Sequence, residues 1–174
     1  MSARHPIIAV TGSSGAGTST VTRTFAQIFR REGIVAGIVE GDAFHRFNRG
    51  EMDQAMADAV SKGNQSFSHF GPDANLLHEL ESLFRQYGEN GTGMVRRYLH
   101  SEELATEFRQ LAGTFTEWAP LDEGTDLLFY EGLHGAVVTD KVDVARHPDL
   151  VVGVVPIINL EWMQKLHRDR QLRG

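Results

Sequence analysis

The chain is 174 residues long, carries 17 Lys and Arg against 23 Asp and Glu for a net charge of −6, and contains no cysteine. That length suits one α/β domain with a sizeable core, and the acidic balance argues against a general nucleic-acid footprint or an anionic-membrane binder. No disulfide, thiolate metal site or thiol switch can form within these residues; with no apolar run near the roughly 18 residues of a membrane span and no signal-peptide core, the cytoplasm is the expected compartment.

In chain order, Ile7-Ile8-Ala9-Val10 predicts a first strand. It is followed by Gly12, Ser13, Ser14, Gly15, Ala16, Gly17, Thr18, Ser19 and Thr20, which read as a phosphate-binding turn between a strand and a helix. Gly12, Gly17 and Ser19 fit the G-x-x-x-x-G-K-[ST] pattern, whose glycines let backbone N–H groups converge on phosphate oxygens and whose hydroxyl reaches Mg²⁺. Thr18 stands where that pattern has its lysine, so the charge for the β- and γ-phosphates must come from elsewhere. Val21, Phe25, Ile28 and Phe29 share one face of the predicted helix, with Gly33 as its stop. The helix N-terminus then presents free N–H groups and a positive dipole end to a bound anion.

Ile34 to Val39 reads as a buried strand that delivers Asp42 to the same sheet edge as the phosphate turn, completing a βαβ unit. The stretch 43–72 is polar and suits substrate-contacting loops, with a short helix from Met52 to Val60. Asp73 is the expected N-cap of a helix striped by Leu76, Leu77, Leu80, Leu83 and Phe84 and ending before Gly88. A loop over Gly88 to Gly93, an edge strand over Arg96 to His100 and a helix from Ser101 through Leu111 are expected next. Leu127 to Tyr130 predicts a buried strand leading into Glu131, Leu150 to Val155 another, and Asn159 caps a last helix through Leu160, Met163 and Leu166.

Asp42 and Glu131 both follow apolar strands, where a carboxylate beside a phosphate turn can hold Mg²⁺ or accept a proton from an attacking hydroxyl. Glu131 resembles a Walker-B position, whereas Asp42, surrounded by substrate-type residues, is the better base; a plain solvated strand end is the alternative for either. His45, Arg46, Arg49, His69, Arg96, Arg97 and His100 form a dispersed basic set, some of which can hold a sugar phosphate. No zinc-type spacing is present. Lys165, Arg168, Asp169 and Arg173 recur at helical intervals, either as i to i+4 ion pairs on a solvated helix or as the missing positive charge carried on a lid.

These segments resemble a phosphoribulokinase of the bacterial type. The resemblance rests on residues 12–20, on Glu-Gly-Asp-Ala-Phe-His-Arg-Phe-Asn-Arg (40–49), Ser-His-Phe (68–70), Phe-Tyr-Glu-Gly-Leu-His-Gly (129–135), Val-Pro-Ile-Ile-Asn-Leu-Glu-Trp (155–162) and Lys-Leu-His-Arg-Asp-Arg-Gln-Leu-Arg-Gly (165–174). It implies a P-loop three-layer α/β sandwich with a mainly parallel sheet, a single kinase domain over 1–174 with a lid-type helix at 159–173, and ATP-dependent phosphorylation of ribulose 5-phosphate in the Calvin cycle. It assigns Asp42 as base, Asp169 as a second essential acid near the metal, Glu131 and Ser19 as Mg²⁺ ligands, Lys165 and Arg168 as catalytic cations, Arg173 as a nucleotide contact, and His45, Arg49 and His100 as sugar-phosphate contacts. Thr18 is shared with the bacterial branch. The resemblance also implies a homo-oligomer, activation by NADH, and a chain that corresponds to an N-terminal portion of a longer protein. A uridine-kinase-like nucleoside kinase and a nonenzymatic nucleotide-binding fragment are the rival readings.

Overall fold

In the computed structural model the described residues are 5–13, 16–155, 162–163, 166–167 and 170. The expected first strand, β1 (Ile7–Gly12), leads through the phosphate turn into helix α1 (Thr18–Glu32) and strand β2 (Ala36–Glu40). Helix α2 (Arg49–Ser61), helix α3 (Leu77–Asn90), strand β3 (Met94–Val95), helix α4 (Glu102–Phe108), strand β4 (Ala119–Pro120), strand β5 (Leu127–Gly132) and strand β6 (Leu150–Val154) follow.

Among the described residues the main sheet has four strands in the order β2-β5-β1-β6, all paired in parallel, and β3 with β4 makes a separate antiparallel ribbon. β5 is central, and its first four residues are all buried. Leu128 and Tyr130 face one apolar cluster, with Ile7, Ala9 and the α3 residues Leu80, Leu83, Phe84 and Tyr87. Leu127 and Phe129 face the other, with Val10 and the α1 residues Val21, Phe25 and Phe29. A strand covered by helices on both faces has no polar side to alternate with, which is why its sequence reads as one continuous apolar run. Phe25, Phe29 and Phe129 meet with ring centroids 5.2–5.7 Å apart, and burying each such ring is worth roughly 1.5–3 kcal/mol. The result is the three-layer α/β arrangement that the residues and the resemblance led to.

Several boundaries differ from expectation for identifiable reasons. β2 is an edge strand, so only Gly37 and Val39 turn inward and Ile38 is 51% exposed. In α1 the buried stripe centres on Val21, Phe25 and Phe29, and Ile28 drifts to the surface. Asp73 caps no α-helix: it lies in a 3₁₀ turn over Pro72–Ala74, and Asn75, drawn into a bridge with His45, is extended and breaks the run before α3 begins at Leu77. α3 runs through Gly88 to Asn90, where Gly91 takes the left-handed conformation and its N–H donates to the Tyr87 carbonyl.

The expected strand over 96–100 is reduced to a single bridge from Tyr98 to Phe115. Ser101 does cap α4, its hydroxyl accepting from the Leu104 N–H, but Arg109 turns left-handed and ends the helix before Leu111. α2 begins earlier than expected because Asn48 and Glu51 close a reciprocal capping box, the side chain of each accepting from the other's N–H. The helix expected from Asn159 lies largely outside the described residues.

Candidate active site

The carboxyl ends of β1, β2 and β5 lie side by side, with Thr11 opposite Gly132 and Glu40 opposite Glu131. At this edge the chain after β1 turns back on itself, the Ala16 N–H donating to the Ser13 carbonyl at 2.9 Å. Gly17 caps α1 with φ of 96°, a left-handed value that glycine adopts without a Cβ penalty. The first turn of α1 contains no acidic residue and its last turn holds Arg30 and Arg31. The positive end of the helix is therefore uncompensated by the helix's own side chains, as an anion-binding N-terminus requires. Ser19 and Thr20 are exposed there, and Gly12, Ser13, Ala16, Gly17 and Thr18 complete the described part of the turn. Ser14 and Gly15 lie outside the described residues.

Thr18 has a role that the motif did not announce. Its hydroxyl donates to the carboxyl of Glu131 at the end of β5. Burial raises the pKa of Glu131, the Thr18 hydrogen bond opposes that, and the nearby charges of Asp42 and Glu40 push it further up. The exposed Ser19 hydroxyl and the Glu131 carboxylate are hard oxygen donors of the kind Mg²⁺ takes.

Asp42 emerges directly after β2, in a 3₁₀ turn over Gly41–Phe44. The turn is seated on Tyr130, whose ring is fully buried. A Cβ on Gly41 would lie 2.6 Å from the Tyr130 Oη and 2.8 Å from the Gly132 Cα, so two glycines are needed where the ends of β2 and β5 meet. The turn is also gripped from outside. Arg96 donates from Nε to the Ala43 carbonyl at 2.8 Å and from a terminal nitrogen to the His45 carbonyl at 2.6 Å. Its guanidinium lies over the Phe115 ring at 3.8 Å and the Trp118 ring at 4.8 Å.

Beyond this turn opens a cavity of about 1000 Å³. Asp42, His45, Arg49 and His100 all line it, joined by His69 and Tyr98. Arg49 enters from the first residue of α2, and a terminal nitrogen of its guanidinium donates to the His100 carbonyl at 3.2 Å. The Asp42 side chain is 68% exposed into this space while the His45 ring is mostly covered, with Nε2 of His45 3.3 Å from Oδ1 of Asp42. Burial lowers the His45 pKa, but hydrogen bonds to Asp42 and Asn75 and the Asp42 charge outweigh it, and the net shift is upward.

The four predicted residues of the base and sugar-phosphate set thus share one cavity. Arg46 and Arg96, from the same basic set, hold main-chain carbonyls instead. Lys165, Arg168, Asp169 and Arg173 lie outside the described residues. Two residues with structural hold on the site carried no assignment from sequence. Asn75 is 1% exposed and bonds His45, and His134 is 9% exposed and donates from Nε2 to the Phe70 carbonyl at 3.0 Å. His134 falls in the Phe-Tyr-Glu-Gly-Leu-His-Gly segment, which was its only signal. Asn75 had none.

Comparison with known proteins points the same way. The family model described as Phosphoribulokinase / Uridine kinase family matches residues 7–174. The chain is 64% identical over 174 residues to the chromosomal phosphoribulokinase of Cupriavidus necator and 63% identical over 171 residues to a phosphoribulokinase of Nitrobacter vulgaris. These alignments cover 100% and 98% of this chain and 60% and 59% of those proteins. The chain thus spans about three fifths of the length of the curated relatives it matches. A solved phosphoribulokinase from Rhodobacter spheroides superimposes with a TM-score of 0.84 at 54% identity, covering 98% of this chain and 58% of that one. By the extent of the family match and the strand-end geometry that accompanies it, this chain belongs to the phosphoribulokinase/uridine kinase family.

Proposed function

We propose that this protein transfers the γ-phosphoryl group of ATP to the 1-hydroxyl of ribulose 5-phosphate, yielding ribulose 1,5-bisphosphate and ADP for Calvin-cycle carbon fixation. The observation that carries the reading is that Asp42, His45, Arg49 and His100 line one cavity, together with a phosphate-type turn leading into a helix whose first turn has no acidic residue of its own. The names of the relatives at 63–64% identity support the same substrate.

In this reading the turn from Gly12 to Thr20 holds the nucleotide phosphates through backbone N–H groups and the α1 dipole. Ser19 and Glu131, with Asp169, would hold Mg²⁺, which would supply neutralisation of charge on the phosphates. Asp42, which lines the cavity, takes the proton of the attacking hydroxyl as the new O–P bond forms and the bond to the ADP oxygen breaks. Arg49 and His100 hold the acceptor's own phosphate at the far side, fixing which hydroxyl reaches Asp42. Lys165 and Arg168 supply the charge that Thr18 does not, and Arg173 contacts the nucleotide. Residues 1–174 act as one kinase domain with the segment 159–173 as its lid, in a homo-oligomer responsive to NADH.

The test is a coupled ADP-release assay with ATP and Mg²⁺, offering ribulose 5-phosphate in one arm and unphosphorylated nucleosides in the other. ADP release confined to the sugar phosphate is the expected result. Release with uridine alone would move the protein to the nucleoside kinases, and ATP binding without turnover in either arm would leave a nucleotide-binding fragment.

A further inference from the structure

We infer that Asn75 is a positioning residue for this reaction: it fixes the tautomer of His45, so that Nδ1 always carries a proton and Nε2, the atom facing Asp42, is where the ring gains or loses one. The inference rests on the proposed role of Asp42 as the base, but its geometry is independent of that role.

The argument starts from the Asn75 amide. Its nitrogen lies 2.8 Å from the His69 carbonyl and 2.8 Å from the Gly71 carbonyl. Carbonyl oxygens only accept, so both positions demand the NH₂ group, and the amide cannot be turned over without setting its oxygen against two others. Its Oδ1 is therefore committed to the other side, 2.9 Å from His45 Nδ1. An amide oxygen also only accepts, so Nδ1 must be the donor. Asn75 is 1% exposed, and no solvent is at hand to substitute for a lost partner.

With Nδ1 settled, Nε2 is the remaining site, 3.3 Å from the Asp42 Oδ1. A neutral ring would turn a lone pair toward an ionised carboxylate; a proton between the two atoms makes the contact favourable. Asp42 and His45 therefore behave as one unit that retains a proton in the contact, and the N–H at Nε2 orients the carboxylate. The surrounding groups are consistent with this. Asp42 from the same turn favours the charged ring, while Arg96, from the segment after β3, opposes it through its charge; His134, from the turn after β5, has its own pKa lowered by burial and then by the His45 charge. The Tyr98 ring packs edge-on against the imidazole at 6.1 Å and holds its plane.

The experiment is ¹⁵N NMR of protein labelled at the histidine ring nitrogens, with the His45 signals identified by their loss in His45→Gln. On titration Nδ1 should hold the shift of a protonated nitrogen throughout while Nε2 alone moves. A neutral His45 with its proton on Nε2 would overturn the inference outright, whether or not any variant folds. In Asn75→Leu the ring should relax to a mixture of tautomers, and retention of pure Nδ1–H would remove Asn75 from the role. Where ribulose 5-phosphate is turned over, the same variant should lower kcat by about 10-fold, less than removal of the base itself, and shift the acidic limb of its pH profile with the KM for ATP unchanged. An unshifted limb would also count against the inference. Absence of turnover on ribulose 5-phosphate in the parent protein bears on the proposed reaction alone, because the ring signals report the tautomer without it.

Discussion

The Thr18 hydroxyl donates to the Glu131 carboxyl, joining the first turn of α1 to the end of β5. The residue at the position of the usual lysine thus addresses an acid of the site, and the charge on that acid becomes sensitive to what stands at 18.

The pH dependence follows with a definite sign. The folded-state pKa of Glu131 is raised, so its contribution to stability is complete below the unfolded carboxyl pKa and is lost as pH rises through the folded value. Thermal unfolding of Glu131→Gln, followed between about pH 4 and 8, should show a flatter dependence than the parent and a higher midpoint at the neutral end. Thr18→Val removes the hydrogen bond that opposes the shift and should steepen the loss. Parallel curves for all three proteins would show that Glu131 does not sense its burial.

Asp42→Asn keeps the size and the cavity wall but removes the proton acceptor. Turnover should fall by at least roughly 10²-fold while ATP affinity stays within a few-fold. Steady-state kinetics alongside nucleotide titration separates the two, and near-normal kcat would take Asp42 out of the role.

Arg49 is expected to behave differently, since it reaches the cavity from α2 and is steadied by the His100 carbonyl. Arg49→Ala should raise the KM for ribulose 5-phosphate by about 10-fold or more with a smaller change in kcat, the signature of a lost ground-state contact. An unchanged sugar KM in initial-rate measurements would leave this arginine only its bond to the His100 carbonyl.

Arg96 never enters the cavity lining, yet it satisfies two carbonyls of the turn that presents Asp42. Arg96→Lys keeps the charge and loses the planar fork, and urea unfolding should show a loss of about 2 kcal/mol. Turnover should drop about 10-fold with the KM for ATP unaltered, because only the aim of Asp42 is disturbed.

Gly41→Ala and Gly50→Ala form a matched pair. At 41 the new methyl meets the Tyr130 Oη and the Gly132 Cα, and the cost should be about 2 kcal/mol. At 50, inside α2, the nearest atom is 3.7 Å away and the change should be neutral or stabilising by up to about 0.5 kcal/mol. Equal midpoints in chemical denaturation would show that β2 and β5 can part without penalty.

What could be read from sequence follows from how locally each feature is determined. The strand Leu127–Gly132 was legible because burial on both faces leaves an uninterrupted apolar run, and the phosphate turn because its glycines and the helix behind it are contiguous. Asp42 was legible as a base from its place after a strand, and His45, Arg49 and His100 from a basic set that the resemblance narrowed, while their meeting in one cavity depends on loops that no periodicity describes. Asn75 stayed hidden because its partner is 30 residues away and its neighbours make an ordinary turn. The false cap at Asp73 has the same origin, since the bridge from Asn75 to His45 overrides a local helix signal. Ile38 looked like core because a short apolar strand does not announce whether it sits at the middle or the edge of a sheet.

The position of β5 between β1 and β2 has a consequence for biosynthesis. β1 and β2 do not pair with each other; each takes its β5 hydrogen bonds from residues 127–132. A ribosome that has released only the first hundred residues has therefore exposed the phosphate turn, α1 and Asp42, with neither strand joined to β5. Contacts of this sequence separation form slowly, and exposed strand edges invite pairing with other chains in the meantime. Translation pausing before residue 127 should make this protein dependent on chaperones, and release of β5 should be the moment at which nascent nucleotide binding first appears.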